Sequence, residues 1–267
     1  MTLASIVKCR GYDQAFAAVE EAINHIGGMG RFVKEGDQVL IKPNILGPAK
    51  PESGWTTHPK VVEALVRLSK LSGARRILVG EYPSMDNNEG RRCFEESGIE
   101  EATRKAGGTP VYFDEEPKYM FDNPRGKALT EIPIPKSLVE SDVYINVPKL
   151  KTHNATQLTA CLKNQFEHRM RAHREDLDQA IVDLLRIARP HLCVIDGVVA
   201  MEGQGPCGGD LVDLGMIFAS DDAVAADAVA SAVMGFDPMS IRTIRIAHHE
   251  GLGVAELEKI RIKGEEM

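Results

Sequence analysis

Two lysines, a hydroxyl and an imidazole fall within five residues, at Lys149, Lys151, Thr152 and His153. Lysines two apart in an extended segment point the same way, so both ammonium groups could reach one anion. His153 has the chemistry of an acid–base group or a metal ligand. The apolar run Asp142–Val147 just before them reads as a buried strand. The group therefore stands just beyond a strand's carboxyl end, where open parallel α/β sheets bind ligands. A solvated basic loop is the plainer alternative.

Other polar clusters occupy comparable positions. Lys42-Pro43-Asn44 follows the strand-like run Gln38–Lys42, and proline there ends regular pairing. An ammonium and a carboxamide at that edge could hold an anion or a carbonyl. Thr56-Thr57-His58-Pro59 reads as a helix start, with Thr57 or His58 as the cap and free N–H groups left for a phosphate or carboxylate. Lys163-Asn164 repeats a Lys-Asn pair, and residues 165–174 include His168, Arg169, Arg171, His173 and Arg174, either a solvated face or a lid over an anionic ligand. Asp196 and Glu202 could join His153 around a divalent metal or act as counter-charges to the lysines. Asp227 is a further candidate partner for a lysine. Gly203, Gly205 and Gly208 match a G-x-G-x-x-G pattern, but Pro206 interrupts it and no helix is expected after it, so a dinucleotide site is rejected.

The elements that must carry these residues alternate. Strands are expected at Leu3–Lys8, Gln38–Lys42, Arg76–Gly80, Thr109–Phe113, Asp142–Val147, Leu192–Ile195, Met216–Ala219 and Ile260–Lys263. Helices are expected over about 13–25, from Pro59 onward, around Leu177–Ala188, over about 221–234 and near Ser240–His249. Residues 116–135 form a Pro- and Gly-broken excursion, read as a small inserted lobe. The pattern predicts one α/β domain over 1–267, a mostly parallel sheet with helices on both faces.

Composition sets the outer limits. With 267 residues and 43% hydrophobic side chains, the chain can build a sizeable core without covalent staples. A net charge of −7 argues against general nucleic-acid binding. The five cysteines are scattered with no Cys-x-x-Cys pair, so no iron–sulfur cluster is expected within the chain. Unpaired cysteines, no basic-then-apolar leader and no long apolar run point to a cytoplasmic protein away from the membrane.

Taken in order, Ile41–Asn44, Thr56–Leu65, Val147–His153, Leu162–Asn164, Ile195–Gly197, Met201–Pro206 and Ala223–Val229 resemble the DUF362 family, over roughly Val39 to Gly253. Some relatives carry an added ferredoxin-like module with iron–sulfur motifs, so the resemblance implies a separate ferredoxin-like partner for any electron transfer. It also implies Lys42, Asn44, His58, Lys149, Lys151, His153, Lys163, Asn164, Asp196 and Glu202 as site residues, without assigning roles. The leading expectation is an enzyme acting on a small carboxylate or phosphate. Lys149, Lys151 and His153 would be its catalytic groups. Lys42, Asn44, Thr57, His58, Thr152, Lys163 and Asn164 would bind substrate, with a divalent metal on Asp196, Glu202 and His153. An accessory to an iron–sulfur partner and a non-catalytic binder of an anionic metabolite are the alternatives.

Overall fold

A computed structural model describes residues 2–83, 89–166 and 176–266. Its main sheet contains β1 (Thr2–Lys8), β2 (Gln38–Pro43), β3 (Arg76–Glu81), β4 (Thr109–Tyr112), β7 (Val143–Val147), β10 (Leu192–Glu202), β12 (Met216–Ser220) and β13 (Ile260–Gly264). The order across the sheet is β13-β1-β12-β10-β7-β2-β3-β4. Only β12 runs against the rest of this path, pairing antiparallel with both β1 and β10. From β2 the chain proceeds outward through β3 to β4, whereas β7 leads the other way to β10. The junction of β2 and β7 is thus a topological switch point, where the loops at the carboxyl ends diverge and leave a crevice.

Side chains alternate across this sheet as the pleat requires. In β12, Ile217 and Ala219 enter one core with Val39, Ile41 and Val194, while Phe218 joins Cys193 and Ile195 on the opposite face. Helices α1 (Ala15–His25) and α3 (Pro59–Leu71) bury Val19, Ile23, Val62 and Leu65 in the first core. Helix α2 (Met29–Phe32) is a single short turn between β1 and β2. The second face is covered by α7 (Leu177–Ile187), α8 (Ala223–Val233) and α9 (Arg242–His249), which contribute Ile181, Val229 and Ile244. The sheet is therefore mostly parallel with helices on both faces, as the alternation predicted. Asp222 caps α8, its Oδ1 accepting the N–H groups of Val224 and Ala225 at 2.9 and 3.0 Å.

Three regions differ from expectation. Helices α4 (Gly90–Glu96) and α5 (Ile99–Ala106) had no clear apolar period, because each is short and only Cys93, Phe94 and Ile99 put large apolar side chains into the core. The excursion over 116–135 contains a hairpin, β5 (Lys118–Asp122) and β6 (Glu131–Pro135), followed by the single-turn α6 (Lys136–Val139). Ile132 and Ile134 anchor it beside Leu40, Leu78 and Phe113. Finally, the basic segment is a buried strand, β8 (Lys149–His153), paired with β10 and with β9 (Gln157–Thr159). Strand β10 runs on to Glu202 to meet it, and then turns back through β11 (Asp210–Val212).

Candidate active site at the carboxyl edge

Lys149 opens β8 and its side chain is buried. The Nζ donates to the Tyr12 hydroxyl at 2.6 Å and to Asp196 Oδ2 at 3.0 Å. Tyr12 in turn donates to Asp196 Oδ1 at 3.1 Å. The same carboxylate accepts the His58 N–H at 2.8 Å and the Val198 N–H at 3.3 Å. His58 stacks on the Tyr12 ring, with centroids 3.5 Å apart and planes 7° from parallel. Four sequence-distant elements thus converge: the turn after β1, the start of α3, β8 and the middle of β10.

Local sequence explains how each is held. Pro59 presets the first turn of α3, and His58 caps it, Nδ1 accepting the Lys60 N–H at 3.2 Å. The free N–H of His58 then points at Asp196, so the anion at this helix start is the protein's own carboxylate rather than an external ligand. Burial lowers the Lys149 pKa despite the opposing pull of Asp196. Burial also raises the Tyr12 phenol, with Asp196 adding to the effect. His58 is pushed down to about 4, chiefly by burial and further by Lys149. At neutral pH the imidazole is therefore uncharged, and the hydroxyl sits between a donor ammonium and an acceptor carboxylate. Such a chain can hold or pass a proton.

Tyr12 also lines a cavity of about 500 Å³ with Lys8, Arg10, Val198, Val199 and Asp213. Lys8 pairs with Glu265 at 2.5 Å, whereas the Arg10 guanidinium makes no ion pair among the described residues.

A second cluster closes the switch point. Lys42 Nζ donates to Glu81 Oε2 at 2.7 Å and to Asn164 Oδ1 at 2.8 Å. Asn164 Nδ2 donates to Asn146 Oδ1 at 2.7 Å. Thr57 stitches the ends of β2 and β7, its hydroxyl accepting the Asn44 N–H at 2.9 Å and donating to the Val147 carbonyl at 2.6 Å. The Oδ1 of Asn44 is buried and accepts no hydrogen bond from the described residues.

A model of the family described as a domain of unknown function, DUF362, matches residues 39–232 of this chain. The chain belongs to the DUF362 family. The matched span opens in β2, takes in both clusters apart from Tyr12, and closes within α8. A thylakoid-associated protein of Synechocystis sp. is 30% identical over 267 residues, covering 95% of this chain and 81% of that relative. Among solved structures, the lactate racemase apoprotein of Thermoanaerobacterium thermosaccharolyticum is similar over 84% of this chain, with a TM-score of 0.43 and 12% identity. The chain spans 55% of that structure's length.

The remaining site residues of this DUF362 protein separate. Lys151 lies on the same face of β8 as Lys149, yet its Nζ donates to the Trp55 carbonyl at 2.7 Å. Thr152 points the other way, donating to the Gly203 carbonyl at 3.0 Å and lining a second cavity of about 460 Å³ with Glu202 and Asp210. Gly205 packs against it so closely that a Cβ would stand 2.1 Å from the Thr152 carbonyl oxygen. His153 is buried, with Nδ1 accepting the Ala155 and Thr156 N–H groups at 3.0 and 3.3 Å. Lys163 is buried in the turn after β9. Among the described residues the lysines 42, 149 and 151 donate to different acceptors.

Nor is the expected metal set assembled. Asp196 is engaged by Lys149, Tyr12 and His58, and Glu202 is exposed six residues farther along β10. Among the described residues no three His, Cys, Asp or Glu side chains stand together as a metal-binding group. Asp227 makes no ion pair with a lysine among the described residues. It accepts the Cys161 and Leu162 N–H groups at 2.7 and 2.9 Å, while burial pushes its pKa up to about 7. The basic segment at 168–174 lies outside the described residues. No described helix is long and apolar enough to cross a membrane.

Tyr12 and Glu81 join the two clusters, yet residue type alone selected neither as a site residue. Glu81 ends β3 and Tyr12 follows β1, both at the carboxyl edge, a positional signal that would have singled them out.

Proposed function

We propose that this DUF362 protein is an enzyme that binds a small carboxylate or phosphate ester in the cavity beside Tyr12. In this reading Lys149, Tyr12 and Asp196 handle a proton of the bound molecule. The observation that carries it is the Lys149 ammonium, buried 2.6 Å from a hydroxyl whose residue lines an open cavity. A lysine with a depressed pKa is suited to proton transfer at neutral pH. The Arg10 guanidinium at the cavity rim would supply the charge for the anion, and neutral His58 would orient the Tyr12 ring. We further propose a cytoplasmic setting and no nucleic-acid partner. Five free cysteines, four of them buried, and a net charge of −7 support that setting.

The test is a panel of small mono- and dicarboxylates and phosphate esters, screened by ligand-observed NMR in D2O. At least one member is expected to bind in a way that Arg10→Ala weakens. A bound carboxylate is expected to exchange its α-proton for deuterium, and Lys149→Met is expected to abolish that exchange. If nothing binds, or if binding is indifferent to Arg10→Ala, the cavity is not an anion site. If ligands bind and no exchange occurs, the protein is a binder and the catalytic reading fails; if exchange is the same in Lys149→Met, Lys149 is not the proton-transfer group.

A further inference from the structure

The hairpin β5–β6 has two edges of different character. Lys136 N–H donates to the Pro117 carbonyl at 2.9 Å, and Asn123 N–H to the Thr130 carbonyl at 2.7 Å. Between them the register runs from Lys118 opposite Pro135 to Asp122 opposite Glu131. The alternation of an antiparallel ladder therefore turns the odd-numbered backbone groups of β5 toward β6, and those of Lys118, Met120 and Asp122 outward. The same parity turns positions 131, 133 and 135 of β6 outward. Two of these are prolines without an N–H, which blunts that edge against pairing. The β5 edge has no such protection, and no strand other than β6 pairs with β5 among the described residues.

The side chains of this edge are apolar and open. Tyr119, Met120 and Phe121 are 45, 60 and 39% exposed. Read outward from Met120, the strand Lys118-Tyr119-Met120-Phe121-Asp122 is complementary to itself. An antiparallel copy centred on Met120 sets Lys118 against Asp122 twice, Tyr119 against Phe121 twice, and Met120 against Met120. Opposite charges and aromatic pairs across strands are both favourable. A parallel copy would instead oppose lysine to lysine and aspartate to aspartate, so the charges select one orientation.

We propose that β5 is a self-recognition edge through which two copies of this chain pair about a two-fold axis at Met120. The two hairpins would then form one four-stranded sheet, β6-β5-β5-β6, with the outward groups of Lys118, Met120 and Asp122 all hydrogen-bonded. Such an interface is isologous and closes at two copies. The Lys118 ammonium also sits 4.8 Å from the Tyr82 ring centroid, a contact that competes with the new ion pairs. The dimer is accordingly weak and concentration-dependent.

Sedimentation velocity of the full chain over a concentration series tests this, with circular dichroism as the check on folding. The wild type is expected to pass from monomer to dimer. Lys118→Asp sets like charges opposite each other and is expected to weaken association about tenfold or more. The double variant Lys118→Asp with Asp122→Lys restores the complementarity and is expected to restore the dimer. A Met120→Cys variant in a Cys207→Ser background is expected to give a disulfide-linked dimer on oxidation, because directly opposed hydrogen-bonded residues bring their Cα atoms to about 5.5 Å. A wild type monomeric at every concentration overturns the proposal. So does a dimer indifferent to Lys118→Asp, a double variant that fails to recover, or a Met120→Cys chain that stays uncrosslinked.

Discussion

Two buried lysine–carboxylate pairs stand side by side at the carboxyl edge, and they differ in what surrounds them. Lys42 and Glu81, both 1% exposed, are walled in by Asn164, Asn146 and the backbone of Ile45 and Tyr82. Lys149 and Asp196 are equally buried, but they share hydrogen bonds with Tyr12, which lines a cavity. The first pair joins the ends of β2 and β3, beside the switch point, and Lys42 ties the turn after β9 to the end of β2 through Asn164. The second touches a residue that borders an open volume of about 500 Å³. Ion pairs of one chemical type can thus stand closed off or beside an open volume, and only the second is placed for the proposed chemistry.

That contrast can be broken by measurement, and the largest effect belongs to the closed pair. Glu81→Gln removes the carboxylate that the buried Lys42 ammonium touches at 2.7 Å. It is expected to lower unfolding stability by about 3–5 kcal/mol in urea titrations. A loss near zero would make the closed pair dispensable and remove the comparison. Next comes His58, whose folded pKa of about 4 lies below the ordinary value near 6.5. Between those values the unfolded state binds more protons, so stability is full above about pH 6.5 and is lost as pH falls through 4. The expected loss is about 2 kcal/mol, discounted for partial exposure. Asp227, pushed up to about 7, acts in the opposite sense: its contribution is present below about pH 4 and lost as pH rises through 7. The His58 effect is therefore read as the difference between the wild type and His58→Asn, which keeps a capping acceptor. An identical pH profile for the two proteins would show that His58 is not held neutral.

Smaller changes in stability sharpen the open pair. Lys149→Met is expected to cost only about 1–2 kcal/mol, because Asp196 keeps the Tyr12 hydroxyl and the His58 and Val198 N–H groups as donors. A cost as large as that of Glu81→Gln would make the two pairs alike. Tyr12→Phe removes one hydroxyl and is expected to change stability by no more than about 1 kcal/mol. It should nonetheless weaken anion-dependent thermal stabilisation by the ligands that bind the cavity, and an unchanged response would detach Tyr12 from that site.

Much of this architecture was legible in the sequence. The apolar runs located the eight strands of the main path, and Pro59 marked the start of α3 to the residue. The parity of Lys149 and Lys151 was also sound, since both side chains leave the same face of β8. What parity could not supply was their partners. Lys151 turns to the Trp55 carbonyl, and Lys149 finds Tyr12 and Asp196, 137 and 47 residues away in the chain. Long-range pairing of this kind leaves no local pattern. The three lysines looked like one anion site because each follows a strand that ends at the same edge. Charge repulsion and burial instead give each its own acceptor, for an isolated buried ammonium is costly. The β5–β6 hairpin was missed because prolines at 133 and 135 read as breaks, although proline is tolerated where a strand's N–H faces outward.

The bond between Tyr12 and Asp196 joins residues 184 positions apart. A ribosome adding roughly 5–20 residues per second takes about 10–40 seconds to travel between them. For that interval Tyr12 and the strand before it wait for β10 and then β12, the strand that must lie between β1 and β10. The proton chain is therefore assembled late, and an interrupted translation product would carry Tyr12, His58 and Lys149 with no carboxylate to unite them.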